Sequence, residues 1–218
     1  VTTRPFRTPH HTTTVPALVG GGAKAKPGEV SLANHGVLFL DEMPEYSRRA
    51  LETLRQPLED RKVTVARVQN TVEYPANFML LASMNPCPCG NYGSKTQVCR
   101  CTPTQIHNYV SKLSGPLMDR IDLQIEVDNI TYGELRGHSA KTETSAQIKE
   151  RINATRAIQL ERFKGLNILT NAEMGSRELN KFCAVDDDCE RLLQKAFDKL
   201  NLSARGTTRI LKVARTIA

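Results

Sequence analysis

The sequence predicts an α/β domain built on a parallel sheet, residues 1–135, followed by an all-helical domain, residues 136–218. Two short apolar runs, 36–40 and 78–85, are typical of strands that are buried on both faces of a parallel sheet. Segments with helical spacing separate these candidate strands, as crossover connections between parallel strands require. From about Ser145 onward the patterns are helical.

The first domain is predicted to begin with an ordered but irregular region that has at most short elements, because residues 1–30 are rich in Thr, Pro and Gly and show no sustained period. The strand at 36–40 is followed by Pro44, which suits the first turn of a helix that runs to about Glu59. Apolar and polar residues then alternate on both sides of a polar centre, which predicts a β-hairpin over 62–75.

Downstream, the pattern predicts a second buried strand at 78–85, a cysteine-bearing loop, a helix over 104–113 and a third strand over 121–127. The second domain is predicted to consist of helices, because apolar residues recur at helical spacing and acidic residues open one segment. The clearest helical segments are 145–163, 186–200 and 208–218.

Composition and charge exclude a membrane protein and leave a polyanionic partner open. The chain has 39% hydrophobic and 24% charged residues. Its apolar runs are far shorter than the ~20 residues of a membrane helix, and it opens without a signal-peptide pattern, so we expect a cytoplasmic protein without membrane contact. Residues 131–218 hold 16 Lys and Arg against 11 Asp and Glu, which gives +5 of the net +7. Such a charge suits nucleic acid, although charged faces are usually only solvated.

Two adjacent carboxylates, Asp41 and Glu42, follow directly on the first buried strand. Open α/β sheets bind ligands at the edge formed by the carboxyl ends of their strands. There Asp41 can hold Mg²⁺, directly or through water, and Glu42 can take a proton from an attacking water. An acidic turn or a helix cap would also place carboxylates here, but the five-residue apolar lead-in favours a nucleotide site.

Three further polar residues have both an ordinary and a functional interpretation. Asn85 ends the second buried strand, where its amide can orient water or phosphate, although Asn before Pro often only forms a turn. Arg120 precedes the third predicted strand and can stabilise a phosphoryl group, or form a salt bridge with Asp119 or Asp122. Arg205 opens the last helix, where a solvated side chain is the ordinary expectation.

Four of the six cysteines stand in two close pairs, Cys87 with Cys89 and Cys99 with Cys101. Cysteines in a cytosolic chain argue against a disulfide framework. Four thiolates from one loop can instead complete a closed tetrahedral Zn²⁺ site of the structural kind. The C-x-C spacing is tighter than the usual C-x₂-C, so free thiols and redox chemistry stay as alternatives.

Together these segments resemble the AAA+ ATPases and, more narrowly, their magnesium-chelatase-like ComM/YifB group. The resemblance covers nearly the whole chain, through RPFRTPHHT, ALVGGG, PGEVSLANHGVLFLDEMPE, LRQPLED, MNPCPCG, SGPLMDRIDL and ARTIA. It implies a partial AAA+ ATPase core in the first domain and a helical lid in the second. It also implies ATP as substrate, Mg²⁺ as cofactor and a hexameric ring in the full-length protein.

The resemblance further implies a role for each active-site candidate: the Walker B pair at Asp41 and Glu42, the first sensor at Asn85, a trans-acting arginine finger at Arg120 and the second sensor at Arg205. The Walker A loop, G-x-x-x-x-G-K-[ST], is absent from the 218 residues. Because that loop supplies most of the phosphate-binding groups, we expect a truncated, mainly monomeric piece that neither binds nor hydrolyses ATP. Natural loss of the loop is the alternative.

Loops that face the central pore in related ring motors fall by position on residues 12–26 and 62–71. This makes four basic residues candidate contacts to DNA phosphates, although ordinary surface positions would look the same: Lys24, Lys26, Lys62 and Arg67. The implied role is a DNA helicase that promotes branch migration in recombination or natural transformation. The alternatives are a chelatase-type motor subunit that drives metal insertion, and a non-catalytic zinc-stabilised adaptor.

Overall fold

The computed structural model describes residues 3–22, 25–66, 71–127, 132 and 143–218. The chain divides into two compact units, Val1–Asp128 and Asn129–Ala218. The boundary predicted at residue 135 lies outside the described residues. No helix in the described part of the chain combines the length and hydrophobicity that crossing a membrane requires.

The first unit is a mixed α/β structure with short elements. Its strands are β1 (Phe6–Arg7), β2 (Gly20–Gly21), β3 (Lys26–Pro27), β4 (Val37–Leu40), β5 (Lys62–Ala66), β6 (Thr71–Pro75) and β7 (Met79–Ala82). Its helices are α1 (Val15–Val19), α2 (Glu29–Leu32), α3 (Arg48–Thr53), α4 (Arg55–Asp60), α5 (Pro103–Val110) and α6 (Gly115–Met118).

A parallel sheet of three strands, in the order β1-β4-β7, organises this unit. Leu38 and Leu40 of β4 are fully buried and belong to a core that the helices α1 to α4 and α6 complete. The largest fully buried side chains of that core are Tyr46, Leu18, Leu38, Leu40, Leu51, Leu54, Leu117 and Val30. The predicted parallel sheet is therefore confirmed, with strands at 37–40 and 79–82. The prediction that the second of these strands is buried is wrong, because β7 is an outer strand of the described sheet and its Met79 and Leu81 are 62% and 51% exposed.

The expectation of irregular structure with at most short elements over residues 1–30 is confirmed for the described residues of this stretch. This stretch contains β1, α1, α2 and the antiparallel pair of β2 with β3. The elements are two to five residues long, too short to show a period in the sequence. Arg7 fixes β1 to α2, because its Nε and Nη2 donate to Glu29 at 2.6 and 2.8 Å.

The helix predicted from Pro44 to about Glu59 is divided into three pieces. A 3₁₀ turn, Met43–Glu45, comes first, and α3 and α4 follow with a break at Leu54. Pro57 explains the break, because proline has no N–H to donate and its ring crowds the carbonyl four residues earlier. The hairpin predicted over 62–75 is confirmed, since β5 and β6 pair antiparallel over their whole length.

The third strand predicted over 121–127 is wrong. All seven residues are described, and none of them belongs to a strand. Their alternating apolar side chains are exposed: Leu123 at 65%, Ile125 at 79% and Val127 at 87%. A strand requires ladder partners for its backbone groups, and no described segment pairs with this one.

The described residues of the second unit form helices and connecting loops without a strand, as the predicted all-helical domain requires. Its helices are α7 (Ser145–Arg162), α8 (Ser176–Phe182), α9 (Asp187–Leu200) and α10 (Ala204–Ile217), with a 3₁₀ turn at Asn171–Glu173. Phe163, Met174 and Leu179 form its small buried core. Side-chain caps at Thr144, Asp186 and Ser203 begin three of the helices, because each oxygen accepts a backbone N–H of the first turn.

Candidate functional site

The carboxyl ends of β4 and β7 lie side by side, because Leu40 pairs with Ala82 in the parallel ladder. The next residues along the two strands are Asp41 and Ser83, and the Ser83 hydroxyl donates a hydrogen bond to Asp41 Oδ1. Asn85 follows two residues beyond Ser83 and is exposed. The two predicted active-site residues Asp41 and Asn85 therefore follow strands that end at the same edge of the sheet.

Glu42 occupies a sharp turn at this edge. Its backbone is left-handed, with φ of 50° and ψ of 48°, a conformation that costs a residue other than glycine roughly 1–3 kcal/mol. Local hydrogen bonds offset this cost, because its N–H lies 3.1 Å from Asp41 Oδ1 and 3.3 Å from Ser83 Oγ. The Glu42 carboxylate is 55% exposed and lies 3.8 Å from His11 Nδ1. The turn thus presents a carboxylate to solvent beside Asp41.

The negative charge of this edge contributes to the raised pKa of two tyrosines. Burial raises the pKa of Tyr46, and the charge of Asp41 raises it further. Burial also raises the pKa of Tyr109, with a contribution from the Glu45 carboxylate, whereas the nearby Asn85 backbone lowers it. Carboxylates that raise the pKa of neighbouring phenols also favour a cation in their vicinity.

The groups at the sheet edge fit a magnesium ion. In the described part of the chain, both hydrogen bonds to the Asp41 carboxylate go to Oδ1, which leaves Oδ2 for a cation. Asp41, Ser83 and Asn85 offer carboxylate, hydroxyl and amide oxygens, the hard ligands that Mg²⁺ prefers. Mg²⁺ usually keeps several waters and takes one or two carboxylates, so one aspartate is a sufficient protein ligand.

Arg120 lies in the same unit, but the structure pairs it with a residue far away in the sequence. Its Nη2 is 2.8 Å from Glu59 Oε2, and its Nη1 donates to the Pro116 carbonyl at 2.5 Å. The side chain is only 11% exposed, and its buried Nε has no partner among the described residues. The salt bridge therefore joins the start of the predicted strand to the end of α4, and Glu59 was not among the predicted partners.

The remaining predicted residues belong to other elements or lie outside the described residues. Arg205 is an exposed residue in the first turn of α10, in the second unit. Lys26 is an exposed residue of β3. Lys62 of β5 forms a 2.8 Å ion pair with Glu73 of β6. Lys24 and Arg67 lie outside the described residues.

The four cysteines of the loop after Asn85 form one cluster, and their sulfurs all lie within 4.8 Å of one another. Cys87 Sγ is 3.4 Å from Cys89 Sγ and 3.7 Å from Cys99 Sγ, and Cys89 Sγ is 3.6 Å from Cys99 Sγ. These distances exceed the ~2.05 Å of a disulfide bond, and the cysteines are free. Such a cluster is able to hold a metal ion.

Backbone N–H groups stabilise thiolate in this cluster. The N–H groups of Arg100 and Asn91 donate to Cys89 and, with the Cys87 thiol, lower the pKa of Cys89 to about 6. The N–H of Tyr92 donates to Cys87 Sγ at 3.3 Å. Burial and the neighbouring sulfurs raise the pKa of Cys99 and Cys101, so these bonds favour thiolate, the form of cysteine that binds metal ions, at Cys87 and Cys89 only.

Sequence reasoning missed three residues of the sheet edge. Ser83 had a readable signal in the sequence. It is the first residue after β7, as Asp41 is the first residue after β4, and a parallel register places these two residues level. Tyr109 and the contact of His11 with Glu42 had none, because each depends on how distant loops fold against the edge.

Comparison with known proteins gives matches over both units. A family model described as "Magnesium chelatase, subunit ChlI" matches residues 1–135, and one described as "Magnesium chelatase, subunit ChlI C-terminal" matches residues 142–218. The chain is 47% identical to "Competence protein ComM" of Haemophilus influenzae, 46% to "Uncharacterized protein YifB" of Salmonella typhimurium and 44% to YifB of Escherichia coli. Each similarity covers 99% of this chain and 41% of the relative. The chain thus spans about two fifths of the length of these relatives.

Proposed function

Because the chain belongs to the family of magnesium chelatase subunit ChlI, we propose that it forms the hydrolytic and lid part of an AAA+ ATPase that acts on DNA. The activity belongs to a protein of the relatives' full length, of which this chain spans about two fifths. The observation that supports the proposal most is the edge where Asp41, bound to Ser83, stands beside the segment of Asn85.

At this edge Asp41 would hold Mg²⁺ through Oδ2. When bound, the ion would neutralise charge on the phosphates of ATP and polarise the phosphoryl group that is transferred. Glu42 accepts the proton of the attacking water, since it is exposed and belongs to the same turn as Asp41. The Asn85 amide orients that water or the terminal phosphate, from a segment whose backbone lies near Tyr109.

Two arginines complete the proposed site in a hexameric ring. Arg120 contacts the phosphate bound by the neighbouring subunit, and this requires its guanidinium to exchange Glu59 for phosphate oxygens. Arg205, in the first turn of α10, reports nucleotide state to the lid. The ring and both arginine roles are carried over from the family resemblance.

DNA is the proposed partner, and branch migration by a helicase is the proposed work. The excess positive charge of residues 131–218 and the exposed Lys26 and Lys62 support it, because point charges bind phosphates without reading sequence. A relative that carries the name "Competence protein" supports it as well.

The test uses the full-length protein with two isosteric substitutions, Asp41→Asn and Glu42→Gln. We expect each to lower ATP turnover by roughly 10²–10⁴-fold, while Glu42→Gln still binds nucleotide, because only the proton acceptor is lost. Glu150→Gln, an exposed carboxylate on α7, is the matched control and should keep full turnover. Turnover at the wild-type rate in both variants would refute the proposal.

A second candidate function is a chelatase-type motor, which the description of the matching family favours. The two functions differ in what accelerates ATP hydrolysis by the full-length protein. Branched or single-stranded DNA should stimulate a DNA motor, and the stimulation should weaken with salt as phosphate contacts are screened. A chelatase motor should respond to a metal-insertion partner and its porphyrin, and be indifferent to DNA at any salt concentration.

A further inference from the structure

We propose that Cys87, Cys89, Cys99 and Cys101 bind one Zn²⁺ and that this ion fixes the segment of Asn85 at the edge of the sheet. The sensor role of Asn85 rests on the proposed function. The binding of the ion and the fixed position of the segment do not. Three features support the ion: the loop has little hydrophobic packing, its sulfurs lie close together, and Asn85 stands between Ser83 and Cys87.

The loop over residues 83–102 has almost no hydrophobic support. All of these residues are described, and none belongs to a helix or strand. Loops of this length without secondary structure are uncommon in compact domains. Cys87 is the single buried residue among them. A loop that buries one side chain needs another source of order, and a metal clip is the source that four cysteines supply.

The sulfur positions match a tetrahedral ion. Four ligands at the Zn–S distance of about 2.3 Å stand about 3.8 Å from one another. The measured separations among Cys87, Cys89 and Cys99 are 3.4, 3.6 and 3.7 Å, and all four sulfurs lie within 4.8 Å. Because all four ligands come from the protein, the site is closed and structural, with no position left for a substrate.

Cys87 follows Asn85 by two residues, so the cluster begins next to the sheet edge. On the other side of Asn85, the Ser83 backbone is fixed to the turn after β4, since Ser83 N–H donates to the Leu40 carbonyl at 3.0 Å and its carbonyl accepts from Met43. The Asn85 backbone itself lies close enough to the Tyr109 hydroxyl to lower its pKa. An ion at Cys87 therefore clamps the short segment between two fixed points.

The far end of the loop returns to the same place. Cys101 is followed by Thr102, which caps α5 through a reciprocal pair of hydrogen bonds with Gln105. Tyr109, which contacts Asn85, lies on this helix and is 6% exposed. Closing Cys87 and Cys101 around one ion joins the start of the loop to the start of α5, and thereby sets where Tyr109 meets Asn85.

The first test measures metal in the 218-residue chain, purified under reducing conditions with zinc supplied during expression. We expect about one zinc per chain and no iron. Iron is measured as well, because iron–sulfur clusters use the same four-cysteine ligand set. The variant Cys87→Ser with Cys99→Ser should lose the zinc. Its matched control, Cys183→Ser with Cys189→Ser, changes the two cysteines outside the cluster and should keep it. A wild-type chain without zinc, iron in its place, or disulfides within the cluster would overturn the proposal.

The second test removes zinc from the wild-type chain with a chelator, so it does not depend on a variant that folds. Cobalt added to the chelated chain should give the absorption bands of a tetrahedral thiolate site. Amide hydrogen exchange over residues 84–101 should rise at least about tenfold on zinc removal, whereas β4 and α7 keep their protection. Equal exchange over 84–101 with and without zinc would refute the clamp, and this result does not depend on ATP hydrolysis.

Discussion

The hydroxyl of Ser83 donates a hydrogen bond to the carboxylate of Asp41 across the ends of two neighbouring parallel strands. This bond directs Oδ1 into the protein, where it also accepts the Glu42 N–H, and leaves Oδ2 for solvent or a cation. A small polar residue at position 83 therefore orients the carboxylate on which the proposed chemistry depends.

Replacing Ser83 with alanine removes one hydrogen bond to a charged acceptor. Such bonds are worth about 1.5–3 kcal/mol, so we expect ATP turnover by the full-length protein to fall at least about tenfold. Ser83→Thr keeps the hydroxyl and should retain most of the turnover. Steady-state ATPase assays of the two variants side by side check this, and equal rates would show that the bond is not needed.

The ion pair of Arg120 with Glu59 should stabilise the first unit. Glu59→Gln leaves a guanidinium that is 11% exposed without its carboxylate, and we expect a loss of about 1–2 kcal/mol in the free energy of unfolding. Urea denaturation of the chain measures it. Glu161→Gln is the control, because its pair with Lys164 is solvent-exposed on both sides and should cost close to nothing. A loss no greater than the control's would contradict the prediction.

The same pair links stability to the proposed role in the ring. If Arg120 reaches a neighbour's phosphate, Arg120→Lys should lower turnover of the full-length protein, since lysine lacks the planar fork that binds phosphate. Glu59→Gln should leave turnover intact or raise it, because it frees Arg120 for that contact. Loss of turnover in Glu59→Gln alone would assign the arginine a structural role.

Lys62 and Glu73 test contact with DNA at the hairpin. The two side chains lie 2.8 Å apart, and each is about half exposed. Glu73→Gln removes a carboxylate that competes with phosphate, so it should tighten DNA binding by the chain. Lys62→Ala should weaken binding and reduce the slope of affinity against salt by about one. Fluorescence anisotropy over a salt series measures both, and unchanged slopes would exclude Lys62 from the interface.

Asp186 should make the start of α9 sensitive to acid. Its Oδ1 accepts the Cys189 N–H at 2.8 Å, and this bond lowers the pKa of Asp186 below its ordinary 3.8. A depressed carboxyl pKa stabilises the fold fully above the unfolded value of 3.8, and the stabilisation is lost as pH falls through the folded value. NMR titration of the carboxyl carbon should give a pKa below 3.8. A value at or above 3.8 would show that the cap is not formed.

Asp186→Ala gives the complementary measurement on stability. The variant should melt below the wild type at neutral pH, because the cap acceptor is gone. The gap should close as the pH falls below 3.8, where protonation removes the carboxylate of the wild type as well. Asp186→Asn keeps an acceptor that does not titrate, and its melting point should track that of the wild type at neutral pH.

Local patterns predicted the elements that are stable for local reasons. The alternation of apolar residues predicted the hairpin over 62–75, and helical spacing predicted three of the four described helices of the second unit, because both signals lie within the element they form. The helix α8 was missed, because its seven residues are too few to show a period. Pro57 also indicated the break at Leu54, but the apolar stripe that continues past it led to the prediction of one longer helix. The segment 121–127 has the alternation of a strand and no described partner, and alternation alone makes no ladder.

The sequence by itself determined where chemistry is available: carboxylates directly after one strand, an amide shortly after the next, and four cysteines in one loop. Tertiary structure alone decided which of these groups meet. The register of Leu40 with Ala82 brings the Ser83 hydroxyl to Asp41. The fold of the loop brings the four sulfurs together, and Arg120 pairs with Glu59 of α4. The contacts of Ser83 with Asp41 and of Arg120 with Glu59 join segments that are far apart along the chain, so their energy exists only once the backbone has folded.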